Sequence, residues 1–132
     1  AKSSQSSIFP EPLRKYVGGD FDKIAWKSIG GGFRQCLLPT GDSSQVRLLS
    51  IPAGRRVPEH DHRGRELTLV LSGGFSDHTG TFVRGDLEDA DEELTHSPIA
   101  DSDENCICLA VTDAPLKFRS IVPQLVQPFI RI

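Results

Sequence analysis

Four side chains in this 132-residue chain have the types and spacing to hold a metal ion. His60 and His62 stand two apart in PEHDHRGREL, Glu66 follows four residues after His62, and His96 lies thirty residues further on, in LTHSP. In an extended segment alternate side chains share a face, so the two imidazoles point the same way. A short turn through Arg63, Gly64 and Arg65 returns Glu66 to that face. Three imidazoles and one carboxylate suit a divalent first-row ion. If all four bind and no position stays open, tetrahedral Zn2+ is the simplest occupant. If waters complete an octahedron, Mn2+, Fe2+ or Ni2+ fits. A lone His-x-His in a strand is usually a surface or satisfied core pair. Glu66, His96 and the flanking Gly54 and Gly73, each at an expected strand end, lift this set above that reading. The remaining histidine, His78 in FSDHTG, falls in an expected turn and reads as exposed.

The donors lie far apart in sequence, so strands have to gather them. Apolar or β-branched runs recur at 24–29, 33–38, 46–51, 67–71, 80–83, 95–99, 106–111 and 116–118, broken by Gly, Pro, Asp and Ser. No amphipathic helical period of twelve or more residues competes with them. Residues 8–17 contain two prolines and are expected to hold one short helical turn at most. The pattern predicts an all-β domain, a jelly-roll barrel or sandwich of short antiparallel strands. The expected organisation is a linker or N-terminal arm over 1–20, a metal-binding domain over 21–120 and a tail over 121–132 that packs on it.

Charge and cysteine usage narrow the function classes. Fifteen basic against 18 acidic residues give a net charge of -3, which argues against a nucleic-acid grip. Half of the acids fall between Asp86 and Glu104, a window with no Lys or Arg, while Arg55, Arg56, Arg63 and Arg65 cluster upstream. Both groups read first as solvated faces. No run is long and apolar enough to cross a bilayer as a helix, and no charged-then-apolar leader opens the chain, so neither membrane nor secretory pathway is expected. Three cysteines do not make a disulfide framework and suit a reducing cytosol. On a strand Cys106 and Cys108 share a face with Ala110, leaving Ile107, Leu109 and Val111 on the other. The bland reading is a pair of small core residues; the functional one is a redox-sensitive pair. Two same-face positions on one strand approach the upper Cα separation for a disulfide, about 6.8 Å, so direct oxidation or damage at a nearby zinc site is the better route. Cys36 reads as core.

The spacing from Gly54 through His60, His62 and Glu66 to Gly73 resembles the first cupin motif in full. The second motif is matched at Gly85, Asp86 and His96, without its Pro-x-Gly and trailing Asn. A closer likeness runs over about 22–119. PEHDHRGRELTLVLSGGFSDHTGTFVRGD, then THSP, then Cys106-x-Cys108, is similar to the C-terminal cupin-like domain of the ChrR family of zinc-dependent anti-sigma factors. The resemblance implies a cupin-like barrel with His60, His62, Glu66 and His96 as zinc ligands. It implies a cytoplasmic, non-enzymatic sensory domain that responds to singlet oxygen. The partner, an extracytoplasmic-function (ECF)-type sigma factor, would be gripped by a separate N-terminal zinc domain. This chain has no His before His60 and only Cys36 before it, so that grip is not expected here. The lack of Met fits a domain detached from a longer regulator. The alternative is a cupin metalloenzyme, a dioxygenase or isomerase acting on a small oxygenated substrate through an open metal position. An exposed edge strand would permit a homodimer.

Overall fold

The computed structural model describes residues 7–39, 44–57, 60–62, 65–90, 97–112 and 116–118, with the backbone alone for 60–62 and 116–118. Its main sheet has six strands in the order β1 (Lys27–Ser28), β2 (Arg34–Leu38), β3 (Gln45–Ile51), β10 (Cys106–Thr112), β5 (Glu66–Ser72) and β8 (Leu87–Ala90). A second sheet joins β7 (Gly80–Val83), β6 (Gly74–Asp77) and β9 (Ile99–Ala100). A two-stranded ladder pairs β4 (His60–His62) with β11 (Leu116–Phe118). All of these pairings are antiparallel, so the domain is all-β, as its punctuated strand pattern predicts.

Strand alternation splits the main sheet into two apolar faces. On β10 the even-numbered residues from Cys106 to Thr112 share a face, and Ile107, Leu109 and Val111 take the other. The two cysteines join Ile51, Val57, Val70, Phe75 and Ala100 in a core between the sheets. There Phe75 stacks on Phe82 with ring centroids 5.0 Å apart. Behind the sheet Leu48, Leu71 and Ile107 form a second core, closed by Phe9 with Leu13, Val17 and Trp26 packed against it.

Two expectations are corrected. Residues 8–17 hold more than one helical turn: Glu11–Val17 form a seven-residue helix, α1. Pro10 is its N-cap and Pro12 sits in its first turn, where a missing N–H removes no helical bond. The helix stops at Gly18, whose φ of 86° is left-handed and whose N–H donates to the Arg14 carbonyl at 2.9 Å. The run 24–29 is mostly not strand, since a 3₁₀ turn at Phe21–Lys23 precedes the short β1. Gly73 stands between β5 and β6, at the strand end expected of it. Its φ is 71° and a Cβ there would lie 2.2 Å from the Asn105 carbonyl oxygen, so glycine is required, while Gly74–Asp77 continue as β6. Of the run 95–99, residues 95 and 96 lie outside the described residues, and β9 is Ile99–Ala100.

Asp20 ties the arm to the domain. Its carboxylate accepts N–H bonds from Ile8 at 3.1 Å, Phe9 at 3.0 Å and Phe21 at 2.7 Å. Burial pushes this carboxyl up, but the three N–H donors and the nearby Arg14 charge outweigh it and hold it below the ordinary carboxylate range. Phe9 is thereby fixed over the sheet at 1% exposure.

Candidate metal centre

Of the four sequence-derived ligands, the side chain of Glu66 is described. It opens β5, whose pattern places Leu67, Leu69 and Leu71 towards the second core and Glu66, Thr68 and Val70 inward. Glu66 stands opposite Thr112 on β10 and Ala90 on β8, and is 6% exposed. His60 and His62 lie on β4, which runs antiparallel to β11: His60 is opposite Phe118 and His62 opposite Leu116. β11 follows the Thr112 end of β10 and β4 precedes the Glu66 end of β5, so the fold carries the histidine strand to the same end of the sheet as Glu66. The side chains of His60 and His62, and all of His96, lie outside the described residues. Among the described residues no group of three His, Cys, Asp or Glu gathers into a metal site. His78 is exposed in the turn between β6 and β7.

The interior around Glu66 is charged. Arg47, on β3, is wholly buried and faces the same side as Glu66. Burial pushes its guanidinium down to about 10, and the charge of Glu66 acts in the opposite direction, so Arg47 remains a cation at neutral pH. Glu88, opposite Thr68 on β8, is buried and accepts the Thr79 hydroxyl at 3.0 Å. Glu66 and Glu88 thus bring two carboxyls to the inner face that also carries Arg47. A buried carboxyl near a strand that carries two histidines is donor chemistry that fits a divalent metal. Glu66 with His60, His62 and His96 would hold it, and a bound ion would supply Lewis acidity there.

Neither Arg47 nor Glu88 stands out by residue type as an inward group. Arg47 sits within an apolar run, and its parity, shared with Leu49 and Ile51, is the signal that places it inward. Glu88 belongs to the acid window read as a solvated face, yet β8 alternates exposed Leu87 and Asp89 with buried Glu88 and Ala90. The window's other described acids fit better: Asp86, Asp103 and Glu104 are exposed and Asp101 is half-buried. Among the described residues an exposed ion pair, Arg65 with Asp89 at 3.1 Å, joins the two charge clusters.

Cys106 and Cys108 are free, buried thiols with their sulfurs 3.3 Å apart. The hydrogen bond with Cys106, then burial, then the charges of Cys106, Glu66 and Glu88 push the Cys108 thiol well above its ordinary range. It is therefore held as a neutral thiol, the poorly nucleophilic form.

Residues 14–115 match the family described as the ChrR cupin-like domain. The chain belongs to that family. Among curated proteins, the anti-sigma-E factor ChrR of Cereibacter sphaeroides is 56% identical over 123 residues, which is 93% of this chain and 58% of that protein. The chain thus spans somewhat over half the length of the relative it matches. Among solved structures, Rhodobacter sphaeroides SigE in complex with the anti-sigma ChrR matches at a TM-score of 0.76 and 53% identity, over 80% of this chain and 57% of that one. An acetylacetone dioxygenase from Acinetobacter johnsonii matches at a TM-score of 0.61 and 19% identity, over 70% of this chain and 67% of that one. KdgF from Halomonas sp. matches at 0.60 and 14%, over 70% and 89%. The last two likenesses share the cupin architecture of this ChrR cupin-like domain and lend the dioxygenase alternative nothing beyond the fold.

Proposed function

We propose that this domain is the metal-binding sensory module of an anti-sigma factor. Zn2+ is held by His60, His62, Glu66 and His96, and singlet oxygen, by disturbing that site or its strands, leads to release of an ECF-type sigma factor. The sigma factor is gripped by a separate N-terminal zinc domain of the same regulator, in the cytoplasm. The module itself is non-catalytic. The observation that carries this reading is the 56% identity, across 93% of the chain, to a protein named as an anti-sigma factor. Support from the fold is the burial of Glu66 at the end of the sheet to which the histidine strand runs. The Cys106 and Cys108 thiols lie on the β10 face that also carries Thr112, opposite Glu66, so oxidative damage at either would be felt in the same core.

The test uses the full-length regulator bound to its sigma factor. Zinc per chain is measured for wild type and for His60→Ala, Glu66→Gln and His96→Ala, and sigma release is followed while a photosensitiser generates singlet oxygen. Wild type should carry zinc in this module and release its partner; the variants should lose that zinc, keep the partner bound and stop responding. Normal release from protein stripped of this zinc would sink the reading. Bound iron with oxygen uptake would replace it with the enzymatic one.

A further inference from the structure

A guanidinium at 0% exposure needs hydrogen bonds or an opposite charge to stay inside. Arg47 has little of the first. Among the described residues its Nε and Nη1 make no hydrogen bond, and Nη2 reaches Gln45 Oε1 only at 3.5 Å, the outer edge of one. The opposite charge stands on the same inner face. β10 lies between β3 and β5, and Arg47 pairs with Ala110, which pairs in turn with Thr68 of β5. Glu66 is the next residue of β5 on that face, opposite Thr112. Arg47 and Glu66 are thus two strands and one same-face step apart, roughly 10 Å across and roughly 7 Å along the sheet. The β10 residues between them, Ala110 and Thr112, are small and buried, and the gap is within the joint reach of an arginine and a glutamate. The charge of Glu66 does act on the Arg47 guanidinium, favouring its protonated form. Glu88, the other buried carboxyl of this face, lies one strand further out and accepts the Thr79 hydroxyl at 3.0 Å.

We propose that Arg47 is the positioning residue for Glu66: its buried charge holds the carboxylate at the place on β5 from which it can ligate a divalent ion. The inference rests on the metal-binding reading and deepens it. A guanidinium only donates, so Arg47 cannot take the ion itself and acts through Glu66. Outer partners of this kind orient a ligating carboxylate, and their loss weakens metal binding. Both residues stand on strands of the main sheet rather than on loops, which is what precise placement needs.

Zinc affinity is measured by competition with a chelator for the full chain as wild type, Glu66→Gln, Arg47→Met and Arg47→Lys. The visible spectrum of each protein loaded with Co2+ reports the ligand geometry. Arg47→Met should bind zinc about 10–100-fold more weakly than wild type and shift the Co2+ spectrum towards that of Glu66→Gln. Arg47→Lys, which keeps the charge, should recover most of the affinity and the wild-type spectrum. A role in packing alone would lower stability and leave both readouts unchanged. In metal-free protein Arg47→Met leaves Glu66 without its counter-charge, so combining it with Glu66→Gln should raise the melting temperature above that of Arg47→Met. If Arg47→Met alone does not fold, the combined variant should. Wild-type zinc affinity in a folded Arg47→Met, with Glu66→Gln impaired, overturns the proposal and leaves the metal reading standing. So does a combined variant that melts no higher than Arg47→Met, or that fails to fold as it does. Equal zinc affinity in wild type and Glu66→Gln, or none in either, removes Glu66 from the metal reading and takes the proposal with it.

Discussion

Arg47 lies directly across the ladder from Ala110, so the bulkiest of the fully buried side chains described stands beside one of the smallest residues of β10. A larger side chain at 110 would compete with Arg47 for the same buried face. Ala110→Leu should therefore overpack the interior and cost roughly 1–3 kcal/mol of stability by denaturant unfolding. A drop no larger than that of an exposed control substitution would show that Ala110 is not holding space for Arg47.

Metal loading should be visible as stability. Because an ion that binds only the folded state stabilises it by mass action, wild type should melt higher as free zinc rises and fall back on chelation. Glu66→Gln, which keeps the shape and removes the charge, should melt at a temperature nearly independent of zinc. A zinc-dependent melting temperature in both proteins would remove Glu66 from the ligand set.

Acid should loosen the N-terminal arm. The Asp20 carboxyl is held below its ordinary range in the folded state. Its contribution is thus full above the ordinary carboxylate range and is lost as pH falls through the lowered folded value. Asp20→Asn should cost about 1–2 kcal/mol at neutral pH and flatten that part of the acid dependence. Thermal melts of both proteins between neutral and acidic pH check this; parallel curves would show that Asp20 does not set the acid response.

The thiols should react in two classes. Cys36 is half-buried, while Cys106 and Cys108 are enclosed and Cys108 is held neutral. A thiol reagent should modify one cysteine of the native chain, slowly because burial also raises the Cys36 thiol, and all three after unfolding. Rapid native modification of Cys106 or Cys108 by mass spectrometry would contradict their enclosure.

Much of this was legible in the residues. The common face of Cys106, Cys108 and Ala110 follows from strict alternation, and the inward Glu66 follows from three leucines claiming the other side of β5. Arg47 is legible only in part: its parity with Leu49 and Ile51 points inward, while a lone cation in an apolar run reads as outward. Glu88 was hidden by composition: a window full of acids says nothing of which one an edge strand turns inward. The helix Glu11–Val17 is masked by its two prolines, which break a helix in its interior but not at the N-cap and first turn.

The ladder between β4 and β11 sets an order of assembly. The histidine strand finds its described backbone partner only at residues 116–118, after every strand of the two larger sheets has appeared in the chain. A ribosome delivering this domain can thus release the whole main sheet, with Glu66 and Arg47 already opposed in charge, before the strand bearing His60 and His62 has anything to zip against. Loading of an ion would then be the closing act of synthesis, and a chain truncated before residue 116 would be folded in most of its sheet yet unable to fasten its histidine strand.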